Sequence, residues 1–176
     1  MAGDLTTMTM HIPTPKTPAP TPKEWRAAMG YFPSGVTIVT TWDKDQPVGS
    51  TVSAFCSVSL EPPLLLICLD HANPIRPAVE ACGVFGVNIL NDQSSALALH
   101  FAASPDADRF EGNPYHAEDD GAPQLDCAPV FIDCVVEHAL VAGDHLVVVG
   151  RGVRIEHASA HPPLLYHKGG FLKLVS

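Results

Sequence analysis

Cations are scarce in this chain. Ten Lys and Arg stand against nineteen Asp and Glu, a formal net charge of −9. Nucleic acid and anionic membrane surfaces are read by dense Lys and Arg, so neither is expected as a partner. Long apolar runs are missing as well. No stretch approaches the roughly 18 uninterrupted apolar residues of a membrane span, and no basic start leads into the apolar run of a secretory signal. A soluble, cytoplasmic protein is the expectation. Cysteines at metal spacing are also absent. Cys56, Cys68, Cys82, Cys127 and Cys134 are odd in number and no two form CxxC. They are expected to be buried, reduced thiols that pack as small hydrophobes, in place of a zinc site or a disulfide framework.

Several signatures of chemistry fail too. Gly150-Arg151-Gly152 begins like a dinucleotide fingerprint, but Val153-Arg154-Ile155 follows, with no third glycine and no helix to enter. There is no Walker A sequence and no GxSxG elbow. His157 and His161 have helix-type ligand spacing, yet Pro162-Pro163 follows directly and no carboxylate completes the set, so no metal is expected.

What remains is a chain of 176 residues, 46% of them hydrophobic, which suits one domain with a real core. Residues 1–22 are rich in Pro and Thr and read as a disordered or extended arm; residues 23–176 read as the folded domain. Glu24 to Tyr31 carries Trp25, Ala28 and Met29 at helical spacing and reads as a short helix. The texture then turns β-branched. Val36 to Thr41 reads as a strand, Gly49 to Leu60 as a second extended segment, and Leu64 to Leu69 as a third strand buried on both faces. Asn73 to Ala81 and Gln93 to Ala103 read as helices, with a strand over Phe85 to Leu90 between them. Pro105 to Leu125 is a long loop of the kind that often carries function. Val130 to Val141 and Leu146 to Ile155 are strands joined across Gly143-Asp144, a hairpin signal. Leu164 to Leu174 reads as a final strand pair. Many strands, short turns and few helices predict a mainly β barrel or sandwich.

Three segments carry the chemistry. The first is Phe32-Pro33-Ser34-Gly35-Val36-Thr37-Ile38-Val39-Thr40-Thr41. The second is Gly49-Ser50-Thr51-Val52-Ser53-Ala54-Phe55-Cys56-Ser57-Val58-Ser59-Leu60-Glu61-Pro62-Pro63. The third is Gly143-Asp144-His145 with Pro163-Leu164-Leu165-Tyr166-His167-Lys168-Gly169-Gly170. In the second, Thr51, Ser53, Ser57 and Ser59 fall on one face of an extended strand. That row either offers hydroxyls to a sugar or phosphate or faces solvent. Asn88 sits among apolar residues and needs a partner, which is either a ligand or a neighbouring backbone carbonyl. His145 lies at a turn tip, where binding groups are often placed; simple exposure is the alternative. Arg76 and Arg109 suit phosphate pairing, but a surface role is expected for each, with Asp106, Asp108 and Glu111 beside Arg109.

Taken together, these segments resemble the flavin reductase-like, FMN-binding split-barrel family, which includes the small reductase components of two-component flavin monooxygenases. The likeness runs in order from Phe32 to about Phe171. It implies a split β-barrel with a few short helices, forming a homodimer with flavin near the subunit interface. The cofactors implied are FMN or FAD, with NADH or NADPH as hydride donor, and a partner monooxygenase that receives the reduced flavin. By motif position, Gly35, Val36 and Thr37 lie near the flavin. Thr51, Val52, Ser53 and Ala54 line its ring, and Ser57 turns toward ribityl and phosphate. Asn73 stands where the family often has Ser and can still donate to a phosphate. Val87 and Asn88 are a further contact. His145, as the catalytic candidate, and the stretch from Tyr166 to Gly169 lie near the nicotinamide. Arg151, Arg154 and Lys168 are candidates for a 2′-phosphate. A flavin-binding electron carrier without a nicotinamide site is the alternative function. A split barrel for haem or a pyridoxal derivative is a third, against which the Ser50–Phe55 pattern speaks.

Overall fold

The computed structural model describes residues 17–103, 108–158 and 161–174. Most of the Pro-rich arm therefore lies outside the described residues. The helix that follows starts earlier than its apolar spacing suggests. α1 spans Pro22–Met29, because Thr21 caps it. The Thr21 hydroxyl accepts from the Glu24 N–H (3.3 Å), and the Glu24 carboxylate accepts from the Thr21 N–H (2.9 Å). Pro22 at the first helical position completes this start, since it has no N–H to strand.

Seven strands form one antiparallel sheet: β2 (Thr37–Asp43), β3 (Gln46–Val52), β4 (Phe55–Leu60), β5 (Pro63–Asp70), β6 (Val84–Ile89), β9 (Val130–Ala142) and β10 (His145–His157). Their spatial order is β3-β2-β6-β9-β10-β5-β4. The two edge strands, β3 and β4, are consecutive in the chain and are separated by Ser53 and Ala54 alone. Three peptide steps span at most about 11 Å. The sheet must therefore curl until its edges nearly meet, and it does so as a barrel with its seam at Ser53-Ala54. The fold is mainly β and of the split-barrel type. β1 (Ser34–Gly35), β11 (Leu165–His167) and β12 (Gly170–Leu172) form a small sheet, and β7 (Tyr115–His116) pairs with β8 (Gln124–Leu125). The helices α2 (Arg76–Cys82) and α3 (Ser95–Ala103) close the barrel's flanks.

The barrel interior is tight. Val39, Ile67, Leu69, Phe85, Val87 and Val148 form its core. A second cluster, with Ile38, Leu90, Phe101, Leu125 and Leu164, lies under α3 and the long loop. A Cβ at Gly150 would overlap the Phe85 ring, so only glycine lets β10 pass there.

Three expectations are corrected. Gly49 to Leu60 is not one strand, because barrel closure breaks it at Ser53-Ala54. A register shift between Ser57 and Ser59 then ends the simple alternation of hydroxyls. β5 is not buried on both faces: Leu65, Ile67 and Leu69 face the core, while Leu64, Leu66 and Cys68 are only half-buried. The cysteines do not behave alike. All five are free, but Cys56, Cys82 and Cys127 are exposed and only Cys134 is buried. Burial pushes the Cys134 thiol up to about 12 and leaves it inert.

Candidate functional site

A cleft of about 1070 Å³ opens beside the seam. One wall is α1 with Tyr31, Phe32 and Ser34, a second is Ser53-Ala54, and the third is the stretch Tyr166–Gly169. Portions of all three chemistry-bearing segments thus meet at one place. Backbone pairing brings them there. Ser34 pairs with Tyr166 and Gly35 with Leu165, and the Lys168 N–H donates to the Gly30 carbonyl at 3.0 Å.

The seam presents backbone polar groups to this cleft. The Ser53 carbonyl accepts from Phe55 N–H and the Ala54 carbonyl from Cys68 N–H. Neither the Ser53 nor the Ala54 N–H finds an acceptor among the described residues. Both residues are small and exposed, so a flat ring can approach their backbone closely. Tyr166 flanks the space and stacks edge-on against Phe171 (centroids 5.8 Å apart). These features suit a planar, hydrogen-bonding heterocycle, and the cleft fits a flavin ring on that ground.

The other expected site residues fall elsewhere. Val36, Thr37, Val52, Val87 and Asn88 are buried in the barrel wall and their side chains do not line the cleft. The Thr37 hydroxyl donates to the Val52 carbonyl at 2.7 Å. The Asn88 amide donates to the Ile38 carbonyl (3.1 Å) and the Thr40 hydroxyl (3.2 Å), and accepts from the Leu125 N–H (2.8 Å). A backbone carbonyl is thus among its partners, and its capacity is spent inside. Thr51 donates to the Ala98 carbonyl at 2.7 Å, which ties α3 to β3. Ser57 is exposed on β4 and Gly35 on β1, both outside the cleft lining. Asn73 donates to the Ser50 hydroxyl (3.3 Å) and accepts from the Ile75 N–H (3.2 Å), ordering the entry to α2.

His145 opens β10 opposite Asp70, and its Nδ1 lies 2.8 Å from the Asp144 carboxylate. That hydrogen bond is the chief reason the Asp144 carboxyl sits below the usual range. His145 does not line the cleft. Its cross-strand partner Asp70 is two residues along β5 from the Cys68 that anchors Ala54, about 7 Å of strand. Asp70, Asp144 and His145 bring their polar atoms within 4.8 Å of one another at this corner.

The arginines sort differently from expectation. Arg109 is buried, not on the surface, and donates to the Gly49 carbonyl at 2.6 Å. Arg76 meets His71 Nδ1 and Glu80. Arg151 pairs with Glu137, and Arg154 with Glu156 and Asp133. Of the three candidates for a 2′-phosphate, Lys168 alone reaches the cleft. Lys23 and Arg26, which also line it, were not anticipated. The capping pattern around Thr21 could have placed them on a helix, but only the tertiary fold says which way that helix faces.

The chain is similar to known proteins in both sequence and fold. The chain is 37% identical over 151 residues to a flavin reductase of Pseudomonas putida, covering 85% of this chain and 88% of that one. It is 35% identical over 150 residues to the reductase subunit HsaB of a flavin-dependent monooxygenase of Rhodococcus jostii (85% and 76% covered). Among solved structures it resembles the NADH:FAD oxidoreductase SgcE6 of Streptomyces globisporus. There the TM-score is 0.84, the identity 30%, and the coverage 93% of this chain and 100% of that one. Residues 29–174 match the family model described as the flavin reductase like domain, and the chain belongs to that family.

Proposed function

We propose that this protein is an NAD(P)H-dependent flavin reductase that passes a hydride from reduced nicotinamide to FMN or FAD and hands the reduced flavin to a partner monooxygenase. One observation carries the reading. Segments far apart in sequence converge on a single cleft whose seam offers two backbone N–H groups, without acceptors among the described residues, beside an aromatic wall. The named relatives support it, since they are flavin reductases and a monooxygenase reductase subunit.

When bound, the flavin supplies the redox chemistry by accepting hydride at its N5. The chain's part is to bind and orient. The Ser53 and Ala54 N–H groups donate to polar atoms at the ring edge, and rigid barrel strands hold those donors in place. Tyr166 and Gly169 line the space that would hold the rings and would help to orient them. No strong acid or base is demanded of the protein. His145, whose Nδ1 lies 2.8 Å from the Asp144 carboxylate, remains the catalytic candidate for the nicotinamide end.

Two further features belong to this reading. A homodimer is supported by apolar residues beside the cleft: Trp25 is 58% exposed, Tyr31 68% and Phe32 78%. Such a patch on a chain of this size is suited to a second copy. Phe32→Asp should convert the dimer to monomer in light-scattering chromatography. Cytoplasmic residence is supported by five cysteines that are all unpaired; no described helix is long and apolar enough to cross a membrane.

The direct test is Ser53→Tyr. Its ring fills the cleft, so flavin binding and nicotinamide oxidation should both vanish while the thermal midpoint stays unchanged. Normal flavin binding by that variant would remove the seam from the site. Tight flavin binding by the unmodified protein, without turnover on NADH or NADPH, would leave the electron-carrier reading.

A further inference from the structure

We infer that Lys23, Arg26 and Lys168 form a phosphate-gripping rim on this cleft and hold the anionic end of the bound nucleotide. The inference rests on the reading of the cleft as a nucleotide site and assigns a part of it that the ring contacts leave open.

The charge distribution is the first argument. The chain has ten Lys and Arg against nineteen Asp and Glu. Yet three of those cations line this one cleft, and no Asp or Glu does. The cleft therefore inverts the sign of the chain as a whole. The three are also unspent. The Lys and Arg ion pairs among the described residues are made by Arg76, Arg151 and Arg154, each outside the cleft. Lys23, Arg26 and Lys168 have no carboxylate partner there. An anion entering the cleft meets cations that have no ion pair to break among the described residues.

The helix supplies the second argument. Lys23, Arg26, Ala27 and Gly30 all line the cleft. Their spacing of i, i+3, i+4, i+7 is that of the stripe which ordinarily carries apolar residues into a core. In α1 that stripe carries two cations, and the helix buries no residue. Trp25, its largest apolar side chain, lies outside the cleft lining. α1 is thus turned the opposite way from an ordinary packing helix, with charge toward the protein's own cavity.

Lys168 is the third. Its backbone is left-handed (φ 49°), a conformation that non-glycine residues rarely adopt. The turn is pinned by its N–H on the Gly30 carbonyl. Its ammonium sits 3.6 Å from the centroid of the Tyr31 ring. An aromatic face holds a cation weakly and leaves its charge intact. A phosphate is the stronger partner, so Lys168 stands ready at the mouth to exchange ring for anion.

The ligand chemistry is a phosphate monoester or pyrophosphate. It can come from the flavin nucleotide or from the nicotinamide dinucleotide. Calorimetric titration of flavin-free protein with FMN, riboflavin and NADH separates the two. The comparison is between the unmodified chain and Lys23→Ala/Arg26→Ala/Lys168→Met. All three side chains are exposed, so the variant should keep its thermal midpoint. We expect it to bind FMN or NADH at least tenfold more weakly and riboflavin as before. The weakened ligand identifies which phosphate the rim holds. Lys168→Arg, which keeps the charge, should restore most of the loss in a variant lacking only Lys168. Binding of FMN and NADH within twofold of the unmodified protein would overturn the inference, leaving the flavin-site reading intact. A parallel loss of riboflavin would overturn it too, because the side chains would then act on the ring. If the unmodified protein bound none of the three, both the inference and the reading beneath it would fall.

Discussion

The barrel wall and the cleft rim lie side by side and are built on opposite terms. In the wall, side chains are spent on one another. Asn88 has three internal partners, Thr37 and Thr51 tie neighbouring segments, and Phe85 fills the space beside Gly150. In the rim, little is spent: α1 buries no residue, and the seam N–H groups of Ser53 and Ala54 lack acceptors among the described residues. Stability is concentrated where polar capacity is exhausted, and binding where it is left over. Buried polar groups are costly when stranded, whereas the same groups at a surface cost little until a ligand arrives.

Substitutions should separate the two regions. The largest effect is expected at Asn88. Asn88→Ala strands the buried Leu125 N–H, worth about 1–3 kcal/mol, and removes the amide's bonds to the Ile38 carbonyl and the Thr40 hydroxyl. Urea unfolding should show a loss of about 3 kcal/mol, and an unchanged midpoint would mean that water or a neighbour replaces the amide. Gly150→Ala comes next. Its Cβ overlaps the Phe85 ring, and overpacking of this kind costs about 1–3 kcal/mol. Arg26→Ala on the rim should change stability by less than about 0.5 kcal/mol; a larger loss would show that α1 supports the fold after all.

The smallest expected effect is a pH dependence in the wall. Burial holds the Asp133 carboxyl above its ordinary range, against the pull of the Ala122 N–H (3.2 Å) and of Arg154. The folded state then binds this proton more tightly than the unfolded state. Its contribution is fully present below the ordinary aspartate range and is lost as pH rises through the raised folded value. Asp133→Asn should flatten that decline, read as the difference in unfolding midpoint between variant and parent from pH 3 to pH 7. Glu24 and Asp144 are shifted the other way, but they are common to both proteins and cancel.

Local patterns announced most of the wall. The β-branched run at Thr37–Thr41, the Gly143-Asp144 hairpin and the helices near Arg76 and Ser95 each carry their own signal, and each formed within a few residues of its expected place. What local pattern could not show was closure. Ser53 and Ala54 continue the alternation of their neighbours, so nothing in the string marks them as the point where two sheet edges meet. The same limit hid Arg109, whose burial depends on a carbonyl sixty positions away. In the site, Ser53, Ala54, Tyr166 and Gly169 were legible as motif residues and do border the cleft. Val36, Thr37 and Val52 stood in the same motifs, and Val87 and Asn88 on a neighbouring strand, but the side chains of all five are buried in the wall.

The seam has one more consequence. Because the cleft lies beside the barrel and not within it, its lining residues can be exchanged without disturbing the packing that holds the strands. Natural variation can then retune which nucleotide is accepted, and how long it stays, at almost no risk to folding.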